Sequence, residues 1–255
     1  MNDESLTTAV RSSSLCELGW VAAGQLHVRG AVALLRGGRV AFPFTYADAE
    51  VARSVAAADQ VAVALTEQRS TGAGFRPLLL RGRPWLVEDP SGEVFTEDLL
   101  TQELHRFPPS RLYADSPLLR REHWWYLPRL VVEVDVESME PIEVRTTPED
   151  HLLVVQHDGH LVVRVARLAG QTSGTVVLDV PGDPAPGPAL LFGQDASFPD
   201  LEQWAQWSYR GHWDGTGFRA DEVPERTGLG PPASVWQRWR RQRLLEKRCR
   251  AAIPK

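Results

Sequence analysis

The chain has 255 residues, 43% of them hydrophobic and 24% charged, and a formal net charge of −5. That is enough to bury a substantial core in one large domain or two small ones, with the composition of a globular protein rather than a disordered or fibrous one. No apolar run approaches the roughly 20 residues of a membrane helix, and the acidic start Met1-Asn2-Asp3-Glu4-Ser5 lacks the basic and apolar regions of a secretory signal, so a cytoplasmic protein is expected.

In chain order, residues 3–15 carry weak helical signals with Ser/Thr caps. Trp20 to Ala23 reads as a short strand that turns at Gly24-Gln25, and Leu26 to Leu35 is the next. Gly37-Gly38 marks a tight hairpin, because glycine tolerates positive φ, and Val40 to Thr45 returns from it. Asp48 to Ala58 is an Ala-rich helix. Val61 to Leu65 and Pro77 to Val87 are strands, Glu93 to Phe107 is a helix stopped by Pro108-Pro109, and Leu130 to Val136 is a strand by its β-branching. Thr146 to Asp150 is the best linker candidate. Strands follow at 151–156, 160–168, 175–180, 188–193 and 203–213. Four prolines between Asp179 and Pro188 exclude a helix there, and Pro231-Pro232 precede a terminal helix at about 233–250. This order is an antiparallel meander with a few helices, which curls readily into a small barrel, not the βα alternation of a parallel sheet.

Two stretches repeat. Gly24-Gln25-Leu26-His27-Val28-Arg29-Gly30-Ala31 aligns with Gly159-His160-Leu161-Val162-Val163-Arg164-Val165-Ala166 at a shift of 135 positions, with five of eight residues identical. Later in each half an Arg-Gly pair closes a strand, Arg81-Gly82 and Arg210-Gly211. The expected fold class is therefore mainly β with helices (α+β): tandem split β-barrel units, 1–146 and 151–255, forming an intrachain pseudo-dimer. The second unit should lack the helix that the first carries at 48–58.

The first half resembles the FMN-binding split-barrel proteins related to pyridoxamine 5′-phosphate oxidase. The resemblance lies in Leu18-Gly19-Trp20-Val21-Ala22, Gly24 to Arg29, Gly37 to Thr45, the helix reaching Arg53-Ser54-Val55, and the strands around Val61–Leu65, Leu78–Leu86 and Pro128–Val136. It implies a six-stranded split barrel, commonly a homodimer, with FMN at the interface and its phosphate held by a Ser-x-Lys and an Arg of the helix. Here Ala49 and Val51 occupy the Ser and Lys positions, leaving Arg53 and Thr45 as anchors, with Arg29 and Arg81 able to contribute from adjacent strands. Trp124 and Trp125, within His123-Trp124-Trp125-Tyr126, would wall a flat ring. The implied function is a flavin-type oxidoreductase binding FMN or a related flat cofactor between the β units. The alternative is a cofactor-free relative that uses the cleft for another small molecule, as an enzyme or a binding protein.

Other features carry no site. His157-Asp158-Gly159-His160 is a hairpin turn without a third ligand, and no metal is expected. Cys16 and Cys249 lack motif spacing and read as reduced thiols. From Ser234 to Lys255, eight Lys/Arg and one Glu give a local +7, so the rest of the chain carries −12. Val235, Trp236, Trp239, Leu244 and Leu245 are expected to form a stripe that docks on the chain's own barrel or a second subunit. A nucleic-acid or membrane surface is the less expected partner. The molecule is expected as a monomeric pseudo-dimer or a homodimer.

Overall fold

The computed structural model describes residues 3–67, 75–111, 123–172, 175–182 and 184–254. Helix α1 (Asp3–Ser12) leads into β1 (Cys16–Ala22), β2 (Gln25–Ala31), β3 (Leu34–Arg36) and β4 (Arg39–Thr45). Helix α2 (Ala49–Ala56) crosses to β5 (Val61–Leu65) and β6 (Leu78–Asp89). A π-helical turn (Phe95–Leu99) runs into α3 (Leu100–Arg106), and β7 (Arg129–Pro141) completes a seven-stranded sheet ordered β2-β1-β5-β6-β7-β4-β3. After the 142–150 connection come β8 (His151–His157), β9 (His160–Thr172), β10 (Thr175–Asp179), β11 (Gly187–Ala196), β12 (Trp204–Trp213) and β13 (Gly217–Glu222). These six close into a barrel ordered β10-β13-β12-β11-β8-β9. Helix α4 (Val235–Ala252) ends the chain.

The second barrel repeats the order of the first sheet, with β8, β9, β11, β12, β13 and β10 standing where β1, β2, β5, β6, β7 and β4 stand. Strands β1 and β8 begin and end 135 positions apart, and their hairpins turn through equivalent left-handed residues, Ala23-Gly24 and Asp158-Gly159. The first unit stays open because β3 pairs beside β4 instead of β4 reaching β2; the second closes directly through β10 and β9. Helix α2 has no counterpart, since the Pro-rich 180–186 segment makes that connection, as the sequence predicts. Several details differ from the sequence reading. β1 starts at Cys16 rather than Trp20, the expected strand Leu26 to Leu35 is broken into β2 and β3, β7 runs on to Pro141, and β13 carries no clear sequence signal.

The Arg-Gly pairs explain themselves. The register shifts between Arg81 and Gly82 on β6 and again between Arg210 and Gly211 on β12. A Cβ at Gly82 would lie 2.2 Å from the Asp135 carbonyl oxygen, and one at Gly211 1.9 Å from that of Arg219, so only glycine fits each bulge. Each arginine then reaches the other unit. Arg81 donates to the Leu161 carbonyl at 3.3 Å and Arg210 to the Leu26 carbonyl at 3.0 Å. Leu26 and Leu161 are equivalent positions of the repeated block, so the contact is reciprocal, as in a two-fold interface.

Between the units lies a shared apolar layer. On β5, Val61, Val63 and Leu65 point into the first core, while Ala62 and Ala64 face the partner unit. On β8, Leu152 and Val154 face the first unit, and Leu153 and Val155 fill the barrel. Period-two alternation with both faces covered gives these strands their nearly continuous apolar sequence. A buried polar bolt crosses the same boundary. Arg145 donates to the Glu17 carboxylate (2.9 Å), the Gln194 carbonyl (2.8 Å) and the Asp150 carbonyl (2.8 Å), while Gln194 and Thr66 also donate to Glu17. Burial pushes the Glu17 carboxyl upward, and Arg145 and Thr66 oppose that by bonding the charged form.

A candidate ligand pocket at the junction of the two units

A cavity of 410 Å³ opens where β2, β3 and β4 meet α3, the start of β12 and helix α4. That volume falls in the range of small-molecule pockets, roughly 300–1,000 Å³. Gly30 forms part of the wall because a Cβ there would collide with Gln194, Trp204 and Gln206 of the second unit. The Gln206 amide brackets this glycine, accepting from its N–H (3.0 Å) and donating to its carbonyl (3.3 Å). Trp204, fixed by an indole bond to Gln194 (3.0 Å), stands 6.2 Å from the Phe107 ring. Phe44, Phe107, Tyr126 and Trp204 therefore give the pocket aromatic walls.

Its polar groups form two sets. At one side the Arg29 guanidinium lies over the Phe44 ring and 3.4 Å from the Asp48 carboxylate. At the other, Arg129 is 1% exposed and sandwiched against Phe95 (3.8 Å) and Tyr126 (4.0 Å). Its Nη2 is 3.8 Å from Glu103, and its Nε–H is buried without a partner among the described residues. Glu103 accepts hydrogen bonds from Ser110 (2.7 Å) and from the Tyr126 hydroxyl. Burial, then the neighbouring Glu103 charge, raise the Tyr126 phenol far above its usual range, so it stays protonated. A buried guanidinium over two rings with an open N–H can present one directional donor to a ligand oxygen.

Of the six residues singled out from sequence, the pocket brings together Arg29 and Thr45. The Thr45 hydroxyl is buried in the wall beside the Cys249 thiol of α4. Arg53 lies outside the pocket, 54% exposed and 3.5 Å from Glu88. Arg81 is engaged by Glu140 and the Leu161 carbonyl. Trp124 is half exposed beneath the Arg250 guanidinium, and Trp125 is buried in the cluster with Phe95 and Leu99, so neither lines the cavity. Sequence reasoning reached Tyr126 only as part of the His123-Trp124-Trp125-Tyr126 run and missed Asp48, Glu103 and Arg129. For Arg129 the available signal was a cation opening the apolar strand Leu130 to Val134.

The residues present do not fit the phosphate of FMN. A dianion needs surplus donors and cations to offset its desolvation. Ala49 and Val51 offer no hydroxyl or ammonium, and the lining arginines, Arg29 and Arg129, are matched by Asp48 and Glu103, so the described wall carries no net charge.

No family model and no curated protein matches the chain. Similar solved structures include HutZ, the heme storage protein from Vibrio cholerae, at 17% identity over 55% of this chain and 95% of that one, TM-score 0.38. A putative pyridoxamine 5′-phosphate oxidase from Listeria innocua matches at 14% identity over 55% and 96%, TM-score 0.36. An F420 reductase matches at 18% over 52% and 94%, TM-score 0.36. The fold described above is α+β, two antiparallel β units with helices.

Proposed function

We propose that the chain binds a flat, largely apolar small molecule without a phosphate group, in the pocket walled by Phe44, Phe107, Tyr126 and Trp204. The observation that carries this reading is the buried Arg129 Nε–H, a donor without a partner among the described residues, at the wall of an otherwise charge-balanced cavity. A donor left unpaired in a low-dielectric site costs free energy that a ligand carbonyl or single carboxylate oxygen would recover. This is the cofactor-free use of the cleft. The flavin-type oxidoreductase is the second reading, favoured by the aromatic walls, which suit a conjugated ring. Against it stand the missing phosphate anchors at Ala49 and Val51 and the position of Arg53.

Absorption spectroscopy and ligand titration separate the two. The purified full-length protein is expected to be colourless. In thermal-shift and calorimetric titrations, planar heteroaromatic rings lacking phosphate should bind better than FMN, and Arg129→Met should weaken them about tenfold or more. A yellow protein, or one that takes FMN more tightly than the phosphate-free flavin ring, would establish the flavin reading instead.

A further inference from the structure

A second concavity, independent of the junction pocket, lies on the other side of β3. It is open, about 820 Å³, and bounded by the end of α1, the end of α3 and the β3–β4 hairpin at Gly37-Gly38. Its charged lining residues are all basic or potentially so: Arg11, His105 and Arg106. Ser12, Ser13 and Ser14 also line it, and no Asp or Glu is among its described lining residues. This is unusual in a chain with 33 acidic and 28 basic residues. Several arginines elsewhere meet carboxylates, as Arg29, Arg36, Arg53, Arg81, Arg129 and Arg145 do. Among the described residues, Arg11 and Arg106 are in no ion pair, and Arg106 donates only to the Ala33 carbonyl.

We propose that this groove is an oxyanion site that takes a phosphate group, free or as a monoester, between Arg11 and Arg106 with the Ser12–Ser14 segment beneath it. Two guanidiniums facing one concavity repel each other, and that repulsion becomes attraction once an anion lies between them. Burial, with Arg11 adding to it, pulls the Arg106 guanidinium down to about 10, the direction expected of a cation that lacks its counter-ion. Each arginine also complements the dipole of the helix it ends, α1 or α3, which favours one cation per terminus but leaves the mutual repulsion uncompensated. The forked donors of arginine suit an anion with several oxygens. Ser14, whose side chain makes no hydrogen bond among the described residues, has a hydroxyl to offer, while those of Ser12 and Ser13 are given to the Ala9 and Leu15 carbonyls.

The test uses the full chain, with inorganic phosphate and glycerol 3-phosphate as probes against chloride at matched ionic strength. Calorimetry should find one phosphate bound per chain, with a phosphate-dependent rise in melting temperature. Arg11→Met, which removes no hydrogen bond among the described residues, should weaken binding about tenfold or more. Arg106→Lys should keep the charge yet bind less well, as loss of the fork predicts. Binding of inorganic phosphate alone identifies a free anion as occupant; equal or tighter binding of the ester identifies a monoester. No stabilisation beyond that given by chloride, or phosphate binding undiminished in the Arg11→Met and Arg106→Lys proteins, overturns the proposal.

Discussion

At the scale of single residues, His151 couples the fold to pH. Its Nδ1–H donates to the Glu149 carbonyl (2.6 Å) and its Nε2 accepts from the Trp207 indole (3.1 Å). Both bonds hold only for the neutral ring, since protonating Nε2 would set two donors against each other. Burial is the main cause that pushes this histidine below 6.5, with Arg145 assisting, and burial with Arg210 moves His27 the same way. A depressed histidine binds its proton more readily in the unfolded chain, so its stability contribution is complete above 6.5 and is lost as pH falls below it. We expect a flat stability profile above about pH 7 and a decline below about pH 6.5, with a slope of up to ~1.4 kcal/mol per pH unit for each proton. His151→Gln should be less stable at neutral pH but show a shallower decline; parallel profiles for the two proteins would refute this role. None of these partners was legible in sequence. The odd spacing of Trp204 and Trp207 puts them on opposite sides of their strand, but which side each takes depends on the Gln194 and His151 partners. Arg145 and Glu17 are 128 positions apart, and a lone arginine before Thr-Thr-Pro looks solvated until the fold brings that carboxylate to it.

Among elements, α4 departs furthest from its sequence reading. The stripe of Val235, Trp236, Trp239, Leu244 and Leu245 was expected to dock. Instead Leu245, Cys249 and Ile253 pack against the cluster containing Leu34, Phe95 and Trp125, while Trp236 and Trp239 are 65% and 45% exposed and stack on each other 4.7 Å apart. The geometry of the helix accounts for this. At 3.6 residues per turn, Trp236 and Leu245 lie about 180° apart, so no single face can hold both. The contact face is spaced i, i+4, i+8, and the alanine-poor, arginine-rich flanks masked that short period in the sequence. Helices α2 and α3 were legible because their apolar positions recur over whole turns and prolines or strands bound them. Deleting 233–255 should therefore cost roughly 3–5 kcal/mol, from three apolar side chains and one pocket wall. Trp236→Ala/Trp239→Ala should cost less than about 0.5 kcal/mol, as surface changes usually do. Urea unfolding of the two proteins checks this, and equal losses would mean that the tryptophans, not Leu245 and Cys249, anchor the helix.

For the molecule as a whole, the repeat was the most informative part of the sequence: its 135-position shift holds for β1 and β8 and for the turns that follow them, and the strand order of the two units matches although the later strands fall at other spacings. What the repeat could not reveal was closure: β3 props the first sheet open beside the pocket, whereas five paired positions between β9 and β10 shut the second. The reciprocal Arg81 and Arg210 bonds bind each unit to the other, and both are carried on one chain. Their encounter is therefore set by the length of the connecting segment and not by how much protein is present. Melting temperature should stay constant over about a hundredfold dilution, where a pair of separate subunits would lose cohesion by mass action; a fall on dilution would show that a second copy is needed. Tethering also lets the halves specialise. One supplies the helices and charged groups around the cavity while the other stands as its permanent wall, a division of labour that two identical subunits cannot make.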